Sequence, residues 1–281
     1  MSEGSRDEGY ALLAAIAAIA VFATLALAVL ARVQASLLQA NAEIERVRVD
    51  AAAQAGVQLA IQNLSSSDRA FRWSLDGRPR EFGFAGSRVT VRVIDERGKL
   101  PLAALEDQQV RKLFELLGVP GDRLDIVTDS FLDWTDDDDD PRPNGAESAY
   151  YARRHIRPPN TAPQSIDELA LVRGFDPALV ARLKEVATLH FGSGTFNSAH
   201  ANPIAIAVLA TGGEDSPEAI EAEREAAGQR TAIELDDKLT AGRTVEILAE
   251  AATPGGGRSH ARQVIELTGN ADRPYTIVEA D

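Results

Sequence analysis

Cysteine is absent from this 281-residue chain, which excludes disulfides, thiolate metal sites and cysteine nucleophiles. Net positive charge is absent too. The formal net charge of −14 argues against a nucleic-acid partner, because a phosphate backbone has to be neutralised by Lys and Arg. No nucleophile–base–orienter constellation is visible, so the sequence does not read as an enzyme. Ser193 sits in "GSG" without a nucleophile elbow. His155, His190, His200 and His260 have no ligand spacing to one another and read as surface or loop histidines. The glycine-rich "PGGGRSH" lacks the Gly-Lys-Ser/Thr ending of a phosphate loop and reads as a hairpin connection. At 44% hydrophobic residues, the chain can still build a sizeable core.

Charge and proline are also missing from residues 10–31, "YALLAAIAAIAVFATLALAVLA", 22 residues long. About 20 helical residues cross a bilayer core, whereas a secretory signal has a shorter apolar region after a basic start. Here the first nine residues carry Glu3, Asp7 and Glu8 against Arg6. Arg32, Arg46 and Arg48 follow the span, so the positive-inside rule sets orientation only weakly. Helical spacing continues through Val33, Leu37, Ala40, Ile44, Val47, Ala51, Ala55, Leu59 and Leu64, which predicts one apolar stripe on a long helix. From Tyr10 to Leu64 that helix would be about 80 Å long, and "SSSD" at 65–68 ends it.

Strand patterns follow. Asp76-Gly77 between two β-like runs predicts a hairpin. In "SRVTVRVID", Val89, Val91 and Val93 alternate with Thr90, Arg92 and Ile94, and Asp95 to Gly98 turns the chain. Residues 99–230 read as helices and loops, and 231–281 return to strands. Within the helical part, helix–Gly–Pro–helix units recur with Gly118 and Pro120, with Gly174 and Pro177, and more loosely with Gly212 and Pro217. They are similar to helix-hairpin-helix or SAM-like units. These hairpins are poor in bases, so a protein-binding or architectural role fits them better than DNA. Asp167 and Glu168 fall in the first turn of a helix capped by Ser165.

The densest chemistry is "LDWTDDDDDPRPNGAES", 132–148. Counted from Asp136, the calcium-loop ligand positions 1, 3, 5 and 12 fall on Asp136, Asp138, Asp140 and Glu147. Position 6 should be glycine and is Pro141, so this is not an EF-hand loop. A charge run of this kind is often a solvated linker. The alternative is a hard divalent cation held by carboxylate oxygens. Trp134 and Tyr150-Tyr151 flank the acids and favour packing over disorder.

The glycine-ended leader "RDEG", the long apolar helix, "DSFLDWTDDDDDPRPNGAES-YY", "RPPNTAPQSIDELALVRGF" and "HFGSGTFNSAHAN" together resemble the K-type minor pseudopilins of bacterial type II secretion, over nearly the whole chain. The resemblance implies an α+β, pilin-like fold. Its parts would be a leader (1–9), a transmembrane helix (10–31), a periplasmic continuation (32–64), a first piece of a small antiparallel sheet (65–98), a helical insertion (99–230) and closing strands (231–281).

It further implies cleavage by a prepilin peptidase between Gly9 and Tyr10, N-methylation of Tyr10, and single-pass anchoring in the inner membrane with the body in the periplasm. Most pilin-like chains carry a glutamate at the fifth mature position. Here it is Ala14, which suits a tip subunit with no neighbour's amine above it to neutralise a charge in lipid. The implied partners are I-type and J-type minor pseudopilins, other pseudopilins and the inner-membrane platform. The implied cofactor is calcium, on Asp133, Asp136, Asp138, Asp139 and Glu147. The implied role is to cap the pseudopilus tip and help start its assembly. A different class of function is a membrane-anchored, calcium-dependent adhesion or protein-binding module, which would need neither cleavage nor pilin partners.

Overall fold

A computed structural model describes residues 4–66, 68, 70–75, 77–192, 196–198, 201–209, 241–270 and 272–280, with side chains from residue 13 onward. Helix α1 runs over Gly4–Leu64. It is the one described helix long and apolar enough to cross a membrane, and its apolar window is exposed.

Five antiparallel strands form a sheet in the order β1-β2-β5-β6-β7: β1 (Arg80–Phe84), β2 (Ser87–Asp95), β5 (Arg243–Ala252), β6 (Arg258–Leu267) and β7 (Tyr275–Ala280). The alternation expected in β2 holds. Val89, Val91 and Val93 are buried toward α1, and Thr90, Arg92 and Ile94 face away. The C-terminal stretch of α1 lies across this face. Val49, Ala52, Ala53, Val57, Ala60, Ile61 and Leu64 form a core with Val245, Ile247, Ala249, Ala261 and Ile265.

Two expectations need correction here. Of the anticipated stripe of α1, only Leu64 is buried. Val47, Ala51 and Ala55 lie two residues from Val49, Ala53 and Val57, about 200° round the helix and so on nearly the opposite face. Val33, Leu37, Ile44 and Val47 are 49–60% exposed. The sheet takes the face of small residues because the backbones approach closely. A Cβ on Gly56 would stand 2.9 Å from Val89 Cγ1 and 3.0 Å from Ala249 Cβ. The second correction concerns the hairpin. Asp76 lies outside the described residues, and Gly77 is in a loop, its N–H donating to the Val93 carbonyl. The reversal that pairs β1 with β2 sits at Ala85-Gly86, with φ of 49° and 80°. Two successive left-handed residues make the turn whose twist matches antiparallel strands.

Between β2 and β5 the chain leaves the sheet. A short 3-10 turn (Glu96–Gly98), capped by Asp95, leads to β3 (Leu100–Pro101). Helices α2 (Asp107–Leu116), α3 (Gly121–Thr135), α4 (Ser148–Tyr151), α5 (Pro177–Val186) and α6 (Pro203–Leu209) follow. β4 (Ala187–Thr188) pairs in parallel with β3. These helices own a second core around Leu113, Phe114, Val127, Phe131, Trp134, Tyr151, Leu169 and Leu183. The Gly118 break at φ 77° and Pro120 before α3 behave as the helix–Gly–Pro–helix spacing predicts. At Gly174–Pro177 the second member is α5, but the first is a 3-10 segment, Ile166–Leu171, capped by Ser165. Gly212 and Pro217 lie outside the described residues, as do Ser193 and His200.

An ionic chain, buried at Glu96, Lys99 and Glu246 and half-buried at Arg262 and Glu279, runs from the turn after β2 across the sheet. Lys99 Nζ lies 2.8 Å from Glu96 and 2.6 Å from Glu246, Glu246 meets Arg262 at 2.5 Å, and Arg262 meets Glu279 at 3.0 Å.

Candidate metal centre

The acidic stretch begins inside a helix. Asp133 belongs to the last turn of α3, on the side that faces the lobe's core, and is fully buried. Asp136 caps that helix with extended backbone, and the chain then leaves as an irregular loop. The loop returns to place Glu147, 3% exposed, at the start of α4. Carboxylate oxygens of Asp133, Asp136 and Glu147 all lie within 4.8 Å of one another.

Three neighbours hold this geometry. Trp134 packs edge-to-face on Tyr151 at 5.1 Å, and its indole N–H donates to Glu168 at 2.9 Å. The Tyr151 hydroxyl accepts the Arg173 backbone N–H, and the Arg173 guanidinium donates to the Gly145 carbonyl at 2.8 Å. Gly145 itself is pressed against Asp133, where a Cβ would meet Asp133 Oδ2 at 1.9 Å. Only glycine lets the loop close over that carboxylate.

The site is electrostatically unbalanced. Neither oxygen of Glu147 has a hydrogen-bond partner, and Asp136 Oδ1 is likewise buried without one. Burial, and then the charges of Asp133, Asp136, Asp139 and Asp138, push the Glu147 carboxyl up to about 7. One cation answers part of this. Arg142 Nη1 lies 2.9 Å from Asp133 Oδ1 and 2.5 Å from Asp136 Oδ2. Burial works against the Arg142 charge, but the hydrogen bonds to Asp136 and Asp133 outweigh it and hold its pKa above the ordinary value. A buried carboxylate with both oxygens orphaned, beside two more acids, is a donor set that suits a hard divalent cation.

Of the five expected ligands, the structure gathers Asp133, Asp136 and Glu147. Asp138 and Asp139 are exposed and engaged locally. Asp138 Oδ1 accepts the Asp140 N–H at 2.8 Å, and Asp139 Oδ1 accepts the Ser148 N–H at 3.2 Å. Sequence reading missed Arg142 and Gly145. The signal was a lone arginine between two prolines directly after five aspartates, with a glycine three positions on. Gly9 and Tyr10 fall within the continuous backbone of α1.

Residues 91–191 match the family model for type II secretion system (T2SS), protein K. Type II secretion system protein K of Dickeya chrysanthemi is 38% identical over 85 residues, 30% of this chain and 23% of that relative. The protein of the same name from Pectobacterium carotovorum subsp. carotovorum is 28% identical over 204 residues, 64% of this chain and 62% of the relative. The matched parts therefore span less than two thirds of either relative. The crystal structure of the GspK-GspI-GspJ complex from the type 2 secretion system of enterotoxigenic Escherichia coli shares the fold. The TM-score is 0.54 at 15% identity, over 88% of this chain and 98% of the other. The acidic loop lies inside the matched segment, and over that segment the chain is similar to the type II secretion system protein K family.

Proposed function

We propose that this chain is the K-type minor pseudopilin of a type II secretion system. It is anchored in the inner membrane through residues 10–31, with its body in the periplasm, and sits at the pseudopilus tip with I-type and J-type partners. The role is structural, namely helping start pseudopilus assembly and so protein export, and not catalytic. The observation that carries this reading is the second apolar face of α1. Val33, Leu37, Ile44 and Val47 extend an exposed stripe beyond the membrane-length segment, on the side the sheet leaves open. A long exposed apolar stripe is what helix-on-helix assembly buries. The shared fold supports the same partners, because the solved relative is a GspK bound to GspI and GspJ.

Processing between Gly9 and Tyr10 belongs to this proposal, and N-terminal sequencing of the membrane-extracted chain checks it: a start at Met1 overturns it. Calcium is the proposed cofactor. Asp133, Asp136 and Glu147 are the inner ligands, and Asp138 and Asp139 sit close enough in sequence to complete the shell. The ion would supply charge balance and loop rigidity, with no chemistry of its own.

The test is reconstitution. The detergent-solubilised chain is mixed with I- and J-type partners from the same genome and run by size exclusion, in calcium and in chelator. A stoichiometric complex is the expected result, and Leu37→Gln with Ile44→Gln should weaken it. Absence of a complex in both conditions overturns the tip role and favours an anchored calcium-dependent binding module.

A further inference from the structure

We propose that Arg142 is a built-in competitor for the cation site, a guanidinium that draws on the carboxylates of Asp133 and Asp136 and is displaced toward Asp107 when a divalent ion takes them. The inference rests on the cation reading of the acidic cluster. Arg142 is the strand of positive charge that this loop brings to its own acids. Its Nη1 reaches two of the three clustered carboxylates, at 2.9 and 2.5 Å, and leaves both oxygens of Glu147 without a partner.

A monovalent, planar cation can satisfy two acids here. A divalent ion with six to eight oxygen ligands at 2.3–2.6 Å satisfies all three. The two compete for the same carboxylates: a guanidinium on Asp133 Oδ1 and Asp136 Oδ2 places a like charge within a few ångströms of the ion and weakens its binding.

The backbone permits the exchange. Pro141 and Pro143 restrict the chain on either side of Arg142. The Arg142 N–H contacts Asp133 Oδ2 at 3.2 Å independently of the side chain. Only the side chain has to move. It has a landing place. Asp107 Oδ2, at the start of α2, already lies 4.0 Å from Arg142 Nη2 and is 72% exposed. Ion entry then transfers Arg142 from the loop to α2, so that occupancy is reported on a neighbouring helix, and the arginine sets how much calcium the site needs.

Calcium titration calorimetry on the full chain in detergent tests this, with Arg142→Gln beside the wild type. The variant should bind calcium about tenfold more tightly, the size of a typical coupling between competing sites. Asp107→Asn, which removes the landing place, should bind a few-fold more weakly than wild type. On the wild type alone, the Arg142 Nε–H resonance, assigned by its loss in the variant, should shift as calcium saturates the site. Equal or weaker binding by folded Arg142→Gln, or an unmoved resonance at saturation, overturns the competitor role while leaving the metal site standing. No calcium binding by either protein overturns the cation reading and the competitor with it.

Discussion

Burial and the neighbouring aspartates oppose the Glu147 charge, which a proton relieves and which, on the proposed reading, calcium would relieve instead. Its folded pKa of about 7 lies above the ordinary carboxylate value, so the folded chain holds the proton that the unfolded chain releases. The Glu147 contribution therefore favours folding below the ordinary pKa and is lost as pH rises toward 7. In chelator, the melting temperature should fall as pH is raised from 5 to 8. In saturating calcium that slope should flatten, because the ion replaces the proton. Glu147→Gln should remove both the slope and the calcium-dependent gain, which thermal melts across pH would show. Gly145 is the second decisive residue. Gly145→Ala puts a methyl 1.9 Å from Asp133 Oδ2, so the loop or the carboxylate must move. Overpacking of this kind costs about 1–3 kcal/mol, and calcium affinity should drop with it. Denaturant melts and calcium titration of the variant measure the two effects.

At the scale of elements, two contacts join what the chain order separates. The first is α1 on the sheet, where Gly56 sets the distance. Gly56→Leu would drive a branched side chain into Val89, Val91 and Ala249, which lie 2.9–3.1 Å from the first added carbon. The gain in helix propensity is about 1 kcal/mol, and the overpacking cost of about 1–3 kcal/mol or more exceeds it. The expected outcome is a net loss of stability in chemical denaturation. The second contact is the Lys99 junction. Burial opposes the Lys99 charge, but Glu96 and Glu246 outweigh it and raise its pKa. Burial likewise opposes the Glu246 charge, and Lys99 and Arg262 override it and lower its pKa. Lys99→Met would leave Glu96 and Glu246 buried without their shared cation, and should cost about 3–5 kcal/mol. Adding Glu96→Gln to Lys99→Met should recover part of that loss, because Glu246 keeps Arg262 at 2.5 Å, and comparing the two melts checks it.

For the whole molecule, the fold separates two tasks. One core joins α1 to the five-stranded sheet, and the other fills the helical lobe that carries the acids. The chain leaves the sheet after β2 and re-enters it at β5, whose register with β2 spans Arg88↔Ala252 to Asp95↔Val245. The lobe is thus hung from two adjacent central strands. Calcium at the acidic loop should then stabilise the lobe more than the sheet. Hydrogen exchange in calcium and in chelator should show protection gained in α3 and α4, with β5 and β6 little changed.

Several features were legible in the residues alone, because their physics is local. The apolar run of 10–31, the valine alternation of β2, the glycine–proline break between α2 and α3 and the Ser165 cap each follow from propensity and spacing. The acidic stretch stood out as a candidate cation site for the same reason. Only the tertiary structure decided which face of α1 is buried, since both faces are apolar and the choice depends on how closely the sheet can approach Gly56. It also moved the hairpin to Ala85-Gly86, where strand pairing selected the turn. Finally, it chose Asp133, Asp136 and Glu147 from a crowd of acids. Convergence of side chains across a loop is set by the packing of Trp134, Tyr151 and Arg173, and no spacing rule contains that information.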